Sequence, residues 1–524
     1  MAEGQTLPQF RLLPMKAPDI QMTRHDSGTI YLTPRQSPGD RPQTVPHCLD
    51  QRAAEHPDRP FLRERDPASG EWRTLTYGEA KAITDSLAQA FLNLGAGPDA
   101  PVMILSANST RAAMVILAAQ KIGAPAAPIS VPYSLMSSDF EKLRHCFGAV
   151  KPAIIFAEHC RPFLKAIAAL GDTGCKVVSA DPGGDNAVLR YDNLAATVPT
   201  EDVARAMATL NDDPDQVHNV LDWLPWNHIS GSNVNFNGAI WNGATFWIDD
   251  GKPTPALFQR TIDNVRDCSP SSFGTAPIAL AMLADAMEED DTLMTAFFKN
   301  MRSIGYGGAT LSDDLYDRLQ ALAIKATGRR IPIVTMYGAT ETQGITVVHW
   351  EAERVGLIGL PLPGMTLKLV PNGSKLEVRV KGPSVMPGYL DSPEKNAEVF
   401  DEEGYYCLGD AGTFVDENNP EAGIVFDGRV GEDFKLSSGT WVSVGTLRPD
   451  FVAACSPLIF DAVIAGQDKN FASAMVWPSQ AIIEQYIKAA DGDHDKGLAA
   501  FTDDVVKKAK AFNAGEPGSS RRLK

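Results

Sequence analysis

The hydrophobic pattern of the chain changes character near Leu369. Before that point, PVMILS from Pro101 is a short apolar run of buried-strand type, Ser109 to Ile122 has helical spacing, and a Gly-Ala-Pro break leads into the strand-like Ala127 to Ser130. The alternation returns with Ser138 to Ala149 as helix and Pro152 to Ala157 as strand. Apolar strands alternating with helices predict βαβ units and a largely parallel sheet covered on both faces, so the fold class is α/β. After Leu369 the runs shorten (Leu376 to Val380, Gly423 to Phe426) between Pro, Gly and acidic clusters, the pattern of a β-rich subdomain. Farther on, Ile459 to Gly466 reads as a strand, and Gln480 to Ala489 and Ala499 to Phe512 as helices. The expected organisation is a large N-terminal domain over 1–428 and a small α+β C-terminal domain over 429–524.

Composition narrows the function. A chain of 524 residues with 44% hydrophobic content exceeds the usual size of one compact domain. Its net charge of −17 and pI near 5.0 would repel a phosphate backbone, which argues against nucleic acid and for small-molecule partners. Seven scattered cysteines without a C-x-x-C pair suit neither a disulfide framework nor a structural zinc site. The polar N-terminus lacks an apolar signal core, and no stretch approaches the roughly 20 apolar residues of a bilayer span. A soluble cytoplasmic protein is expected, with a homodimer as the default assembly.

Several segments carry candidate chemistry. Tyr337 to Thr342 reads YGATET after the strand-like IPIVTM, which predicts a loop at the carboxyl end of a sheet strand, where open α/β sheets place ligands. The Thr340 hydroxyl can bond a phosphate oxygen, and the Glu341 carboxylate can hold Mg²⁺, a hard cation that prefers oxygen and shares substrate phosphates. The plain alternative is a turn with solvated polar tips. In SIGYGGATLS, Gly307, Gly308 and Ala309 lack bulk and would let a flat base lie on the backbone, although an ordinary glycine turn reads the same way. In YYCLGDAG, Asp410 could accept from ribose hydroxyls. DGRVGEDFKLSSGTWVSV brings Arg429, Gly431 and Lys435 into one glycine-containing stretch.

In this order, YGATET, YYCLGD and DGRVGEDFK resemble the adenine, magnesium, ribose and hinge motifs of adenylate-forming enzymes. The phrases DWLPWNH (Asp222 to His228), IDDGKPTP (Ile248 to Pro255) and GEDFKLSSGTWVSVG (Gly431 to Gly445) are similar to feruloyl-CoA synthetases in particular. The resemblance implies an acid:CoA ligase that uses ATP, Mg²⁺ and CoA: a hydroxycinnamic acid such as ferulate attacks the α-phosphate to give an acyl-adenylate and pyrophosphate, and the CoA thiol displaces AMP. It implies that Gly307, Gly308, Ala309, Tyr337, Gly338, Ala339, Thr340, Asp410 and Arg429 meet the nucleotide. His228 would border the acid pocket together with Trp223, Trp226, Asn233 and Phe236, an aromatic and amide-rich group that could equally be plain core. Gly431 takes the hinge position, where many relatives carry a charged residue, and Lys435 matches a lysine that faces the site in the thioester-forming arrangement.

Two segments that the family carries are missing from the pattern. A Ser/Thr/Gly-rich loop ending in Lys is expected before WLPWNH, but Val203 to Trp223 reads VARAMATLNDDPDQVHNVLDW. The family's C-terminal lysine motif has no match in SSRRLK, and Lys524 does not fit it. Either the chain is a crippled homologue that binds nucleotide or acyl ligand without ligase activity, or a disordered loop has been left out of it. The other intact motifs favour the second, which predicts a backbone break between Leu210 and Asn211. Ligases for another aryl or fatty acid, and adenylation for a carrier protein, are the remaining alternatives.

Overall fold

In the computed structural model, the helix expected after PVMILS is Thr110–Lys121, and residues 112–119 along it are all buried. A helix without a polar face must be covered on every side, and this one packs on strands of two different sheets and on two further helices. Its start is fixed by Ser109, whose hydroxyl accepts from the Ala112 N–H at 3.0 Å. The structure describes residues 7–11, 17–39, 44–183, 187–195, 218–373, 375–516, 518 and 520–524. The break expected between Leu210 and Asn211 lies outside the described residues.

The chain forms two units, residues 1–18 with 37–356, and residues 19–36 with 357–524. In the first unit, six parallel strands run side by side in the order Pro60–Arg65, Thr245–Ile248, Asn219–Asp222, Ser272–Thr275, Ser303–Tyr306 and Ile333–Ala339. Trp72–Thr76 pairs antiparallel with the first of them and Gln343–Val347 with the last. A second, wholly parallel sheet holds Ala126–Pro128, Val102–Ile104, Ile154–Phe156, Lys176–Ser179 and Leu189–Arg190. Parallel strands need helical crossovers, and those helices bury both sheet faces. The α/β reading of this part therefore holds.

The second unit is antiparallel. Its sheet runs Ile20–Arg24, Ile30–Pro34, Thr366–Asn372, Lys375–Lys381, Tyr406–Phe414, Ile424–Arg429 and Leu357–Pro361. From Phe434 onward the chain builds a core of its own with Leu447, Phe451, Ile459, Ile464 and Phe501. Helices Val444–Cys455, Gln480–Ala489 and His494–Gly515 pack there with the hairpin Ile459–Ala465/Ser473–Pro478. The boundary expected at 428/429 falls inside this unit, just ahead of that core. No helix among the described residues is long and apolar enough to cross a membrane.

Aromatic packing joins the parallel sheet of the first unit to its helices. Phe61 is fully buried, with its ring centroid 4.6 Å from Tyr77 and 6.0 Å from Phe236. Phe61→Ala removes this contact and leaves a cavity, and is expected to cost about 3–5 kcal/mol. Urea unfolding of the first unit measures this; a loss below about 1 kcal/mol would mean that the site collapses freely.

Candidate functional site

The Thr340–Glu341 pair stands at the tip of a hairpin. Strand Ile333–Ala339 does not stop at the start of YGATET as expected: Tyr337, Gly338 and Ala339 remain in it because the return strand Gln343–Val347 pairs Tyr337 with Thr346 and Ala339 with Gln343. The loop is thus shorter than predicted. Thr342 closes it, fully buried, with its hydroxyl accepting from the Ala339 N–H at 2.9 Å. Gln343 sits at φ 59°, a left-handed value that is uncommon for a residue with a side chain. Gly338 is required here, since a Cβ would overlap the Gln343 carbonyl. Thr340 is exposed and Glu341 partly so, which leaves the hydroxyl and carboxylate accessible to a ligand.

A second segment is tied to this hairpin. Strand Asn219–Asp222 ends in DWLPWNH, which runs into a π-helical turn, Ser230–Phe236. Asn108 clamps the segment from the other sheet, donating to the Leu224 carbonyl at 2.8 Å and accepting from the Trp226 N–H at 3.0 Å. Gly231 approaches so closely that a Cβ would overlap the Leu224 carbonyl oxygen. His228 is exposed, and its Nδ1 accepts from the Ser230 N–H at 3.2 Å. In the neutral ring this leaves the proton on Nε2, so His228 is a donor outward. Asn233, also exposed, donates to Gln343 Oε1 at 2.6 Å and so joins the π-helical turn to the hairpin that carries Thr340 and Glu341.

The aromatic group expected around an acid divides. Phe236 is a core residue packed on Phe61, Trp226 and Phe246. Trp223, whose indole N–H donates to Thr275 Oγ1 at 3.0 Å, and Trp226 wall a cavity of about 740 Å³. Asn108, Pro128, Ile248 and Asp249 also line it, at the carboxyl ends of strands from both parallel sheets, while His228, Asn233 and Phe236 do not. Nearby, Gly307 follows strand Ser303–Tyr306, with its N–H 3.3 Å from the Thr275 carbonyl; Gly308, at φ 79°, and Ala309 are exposed.

The expected ribose and hinge residues lie in the second unit. Asp410 pairs with Arg429 across neighbouring strands, and Arg429 Nε lies 3.3 Å from Asp410 Oδ1. The guanidinium stays largely exposed beside the buried carboxyl. Gly431 is in a turn, with open space around its Cβ position. Lys435 is exposed, its ammonium 5.7 Å from the Trp441 ring centre.

The AMP-binding enzyme profile matches residues 49–214 and 186–390, more than half of the chain. The chain belongs to the AMP-binding enzyme family. The matched stretch takes in His228, Gly307, Thr340 and Glu341 and stops short of Asp410 and Arg429. Over 163 residues the chain is 31% identical to the probable acyl-activating enzyme 16, chloroplastic, of Arabidopsis thaliana, covering 28% of this chain and only 22% of that protein's length. It is 24% identical over 453 residues to the 3-hydroxybenzoate–CoA ligase of Aromatoleum sp. (strain CIB), covering 77% and 81% of the two chains. Its fold matches the A domain of carboxylic acid reductase from Segniliparus rugosus, solved in complex with AMP and a co-purified carboxylic acid, with a TM-score of 0.65 at 17% identity over 92% and 88% of the chains. The mixed α/β fold of this AMP-binding enzyme is that of adenylate-forming domains.

Sequence reasoning missed two residues that shape the segment after strand Asn219–Asp222. Asn108 gave only the weak signal of an amide just past a strand. Asp222 looked like part of a phrase, yet its carboxyl is 1% exposed beneath the Trp223 to His228 segment and accepts from the Leu224 N–H at 2.9 Å. Burial pushes Asp222 up to about 8, and the neighbouring Asp249 adds to the rise, while the Leu224 and Trp223 N–H groups and the Asn235 amide oppose it. The folded value exceeds the unfolded one of about 3.9, so the folded state keeps a proton that the unfolded chain releases. The stabilisation is whole below about pH 4 and is lost as pH rises toward about 8. Asp222→Asn cannot ionise, and above about pH 8 it is expected to exceed the parent by on the order of several kcal/mol, converging near pH 4. Urea unfolding at the two pH values checks this; parallel pH curves would contradict it.

Proposed function

We propose that this AMP-binding enzyme is an acid:CoA ligase that converts a hydroxycinnamic acid such as ferulate to its CoA thioester through an acyl-adenylate. The observation that carries the reading is the 2.6 Å bond from Asn233 to Gln343, which joins the turn after His228 to the hairpin of Thr340 and Glu341. An acid carboxylate held near His228 would meet the Nε2–H, and the Thr340 hydroxyl is free to donate to a phosphate oxygen. Glu341 is the carboxylate that would hold Mg²⁺. A partly exposed carboxylate suits that ion, which keeps several waters and shares phosphate oxygens; no group of three or more His, Cys, Asp or Glu able to cage a metal occurs among the described residues. When bound, Mg²⁺ offsets the charge building on the phosphates.

The remaining roles follow from charge and geometry. Gly307, Gly308 and Ala309 would lie under the adenine, Asp410 would accept from ribose hydroxyls, and the exposed Arg429 guanidinium would donate to ribose or phosphate oxygens. Catalysis here is positioning and charge stabilisation, with no covalent enzyme intermediate. We assign residues 429–524 to a small domain that turns about Gly431 between the half-reactions, so that Lys435 serves thioester formation. The cavity walled by Trp223 and Trp226 has the size of a small-molecule site, which supports an aromatic acid, as does the resemblance of DWLPWNH and IDDGKPTP to feruloyl-CoA synthetases. A second reading, a binder without ligase activity, is favoured by the absence of a Ser/Thr/Gly-rich loop between Val203 and Trp223.

Pyrophosphate release with ferulate, coumarate, caffeate, benzoate and a fatty acid decides between them: turnover fastest with a hydroxycinnamate supports the ligase, and release with none of them supports the binder. Glu341→Gln is expected to lower Mg²⁺-dependent adenylation at least about 100-fold with the fold intact. Near-normal adenylate formation at ordinary Mg²⁺ would remove Glu341 from the assignment. Lys435→Ala should slow CoA consumption from preformed adenylate on the order of tenfold more than pyrophosphate release; equal losses would speak against two working conformations.

A further inference from the structure

The stretch on either side of Gly431 is held by contacts that the proposed chemistry does not use. Lys375 opens strand Lys375–Lys381 in the antiparallel sheet, and its side chain is 7% exposed. Asp433, two residues beyond Gly431, has a fully buried side chain. Lys375 Nζ lies 2.7 Å from Asp433 Oδ2 and donates to the Asp427 carbonyl at 2.6 Å. Asp433 Oδ1 accepts from the Val444 N–H at 2.9 Å, at the first residue of helix Val444–Cys455. One ion pair therefore ties the end of strand Ile424–Arg429 to the start of the next helix, across the turn that contains Gly431.

A second contact reinforces the first without charge. Gly428 and Gly445 meet backbone to backbone, and a Cβ on Gly445 would overlap the Gly428 Cα. Gly428 also sits at φ 75°. Gly431 differs from both: open space surrounds its Cβ position, and it is not among the residues at positive φ. The chain is clamped on both sides of an unclamped turn.

We propose that the buried Lys375–Asp433 pair, seated on the Gly428–Gly445 contact, is a latch that holds the segment after Gly431 in one of two working positions and sets the balance between the half-reactions. The inference rests on the two-step reading above. Rotation about Gly431 carries Asp433 away from Lys375, because the two residues lie on opposite sides of the pivot. Separating a buried pair without hydrating both charges is strongly unfavourable, so the latched position is favoured until both reach water. A contact present in only one of two conformations shifts their populations by its own worth.

The test uses the full chain in three forms: parent, Lys375→Met and Gly445→Ala. The second variant leaves the charge pair in place and wedges the glycine contact, which guards against an effect of stranding Asp433 alone. Single-turnover pyrophosphate release with ferulate and ATP gives one rate, and CoA consumption from preformed feruloyl-adenylate gives the other. The ratio of the two rates is expected to change at least about tenfold, in the same direction in both variants. Trypsin cleavage after Arg429 should also quicken by a similar factor in both, since opening the latch exposes the turn. An unchanged ratio with unchanged cleavage, or equal slowing of both half-reactions with unchanged cleavage, would overturn the latch. If the parent shows neither half-reaction, the ligase reading fails by itself and the cleavage rates alone judge the latch.

Discussion

The core that joins the two parallel sheets of the first unit depends on covering helix Thr110–Lys121, whose buried face runs without a break from residue 112 to 119. One sheet can cover one side of such a helix; two sheets and neighbouring helices are needed to remove the rest from water. That constraint draws the strands of two parallel sheets around a shared element. The loops after Val102–Ile104, Ala126–Pro128, Asn219–Asp222 and Thr245–Ile248 contribute to one cavity as a result. In open parallel sheets those loops are where ligands bind, because backbone groups at strand ends are free to turn toward them. The Asn108 bonds to Leu224 and Trp226 show the same constraint at the level of atoms, since a loop of one sheet positions a loop of the other.

Buried polar groups mark the places where packing alone does not decide the conformation. Asp249 is satisfied by the Gly251 N–H, the Thr261 hydroxyl and the Asn264 amide, all within 2.8 Å. Burial still pushes its carboxyl upward. Asp222, buried more deeply still, is pushed further. Two acids at the ends of adjacent strands weaken the fold relative to apolar side chains, and what they give in return is geometry: each fixes the turn that follows it through a backbone N–H. Lys375 and Asp433 follow the same logic with opposite charges, where the pairing specifies position more than it adds stability.

How much of this could be read from the chain depended on whether the cause was local. Helix Gln480–Ala489 was legible to the residue because its apolar spacing and its flanks are local signals. The strands around Val102 and Ile154 were legible for the same reason. The hairpin of YGATET was not, because Tyr337 to Ala339 stay in the strand only through pairing with residues that follow the polar Thr-Glu-Thr. Residues 19–36 gave no sign of joining the second unit, since their partners Leu367 to Leu369 lie more than 300 positions away. Spacing also could not divide the aromatic residues: Phe236 belongs to the core and Trp223 to a cavity wall, and only the tertiary contacts separate them. Asp410 and Arg429 are a middle case, each singled out from its motif, with their adjacency supplied by strand register.

Charge completes the connection between fold and proposed chemistry. A chain with a net charge of −17 repels ATP, CoA and a carboxylate at long range. That repulsion is damped beyond about 8 Å at physiological ionic strength, so the few cations close to a bound anion count for more than the total. Most Lys and Arg side chains with a described partner are spent on carboxylates, as Lys368 is on Asp401 and Glu403 and Arg318 on Asp285 and Glu288. Arg429 touches Asp410 yet leaves 63% of its side chain exposed, so it can gain a second anionic partner without first losing the one it has. Lys435, exposed beside an indole, would meet the phosphate or thiolate of the proposed reaction without a buried ion pair to break. A net negative chain with a few exposed cations would favour short anions that reach those cations over extended polyanions, on which the long-range repulsion acts along their whole length.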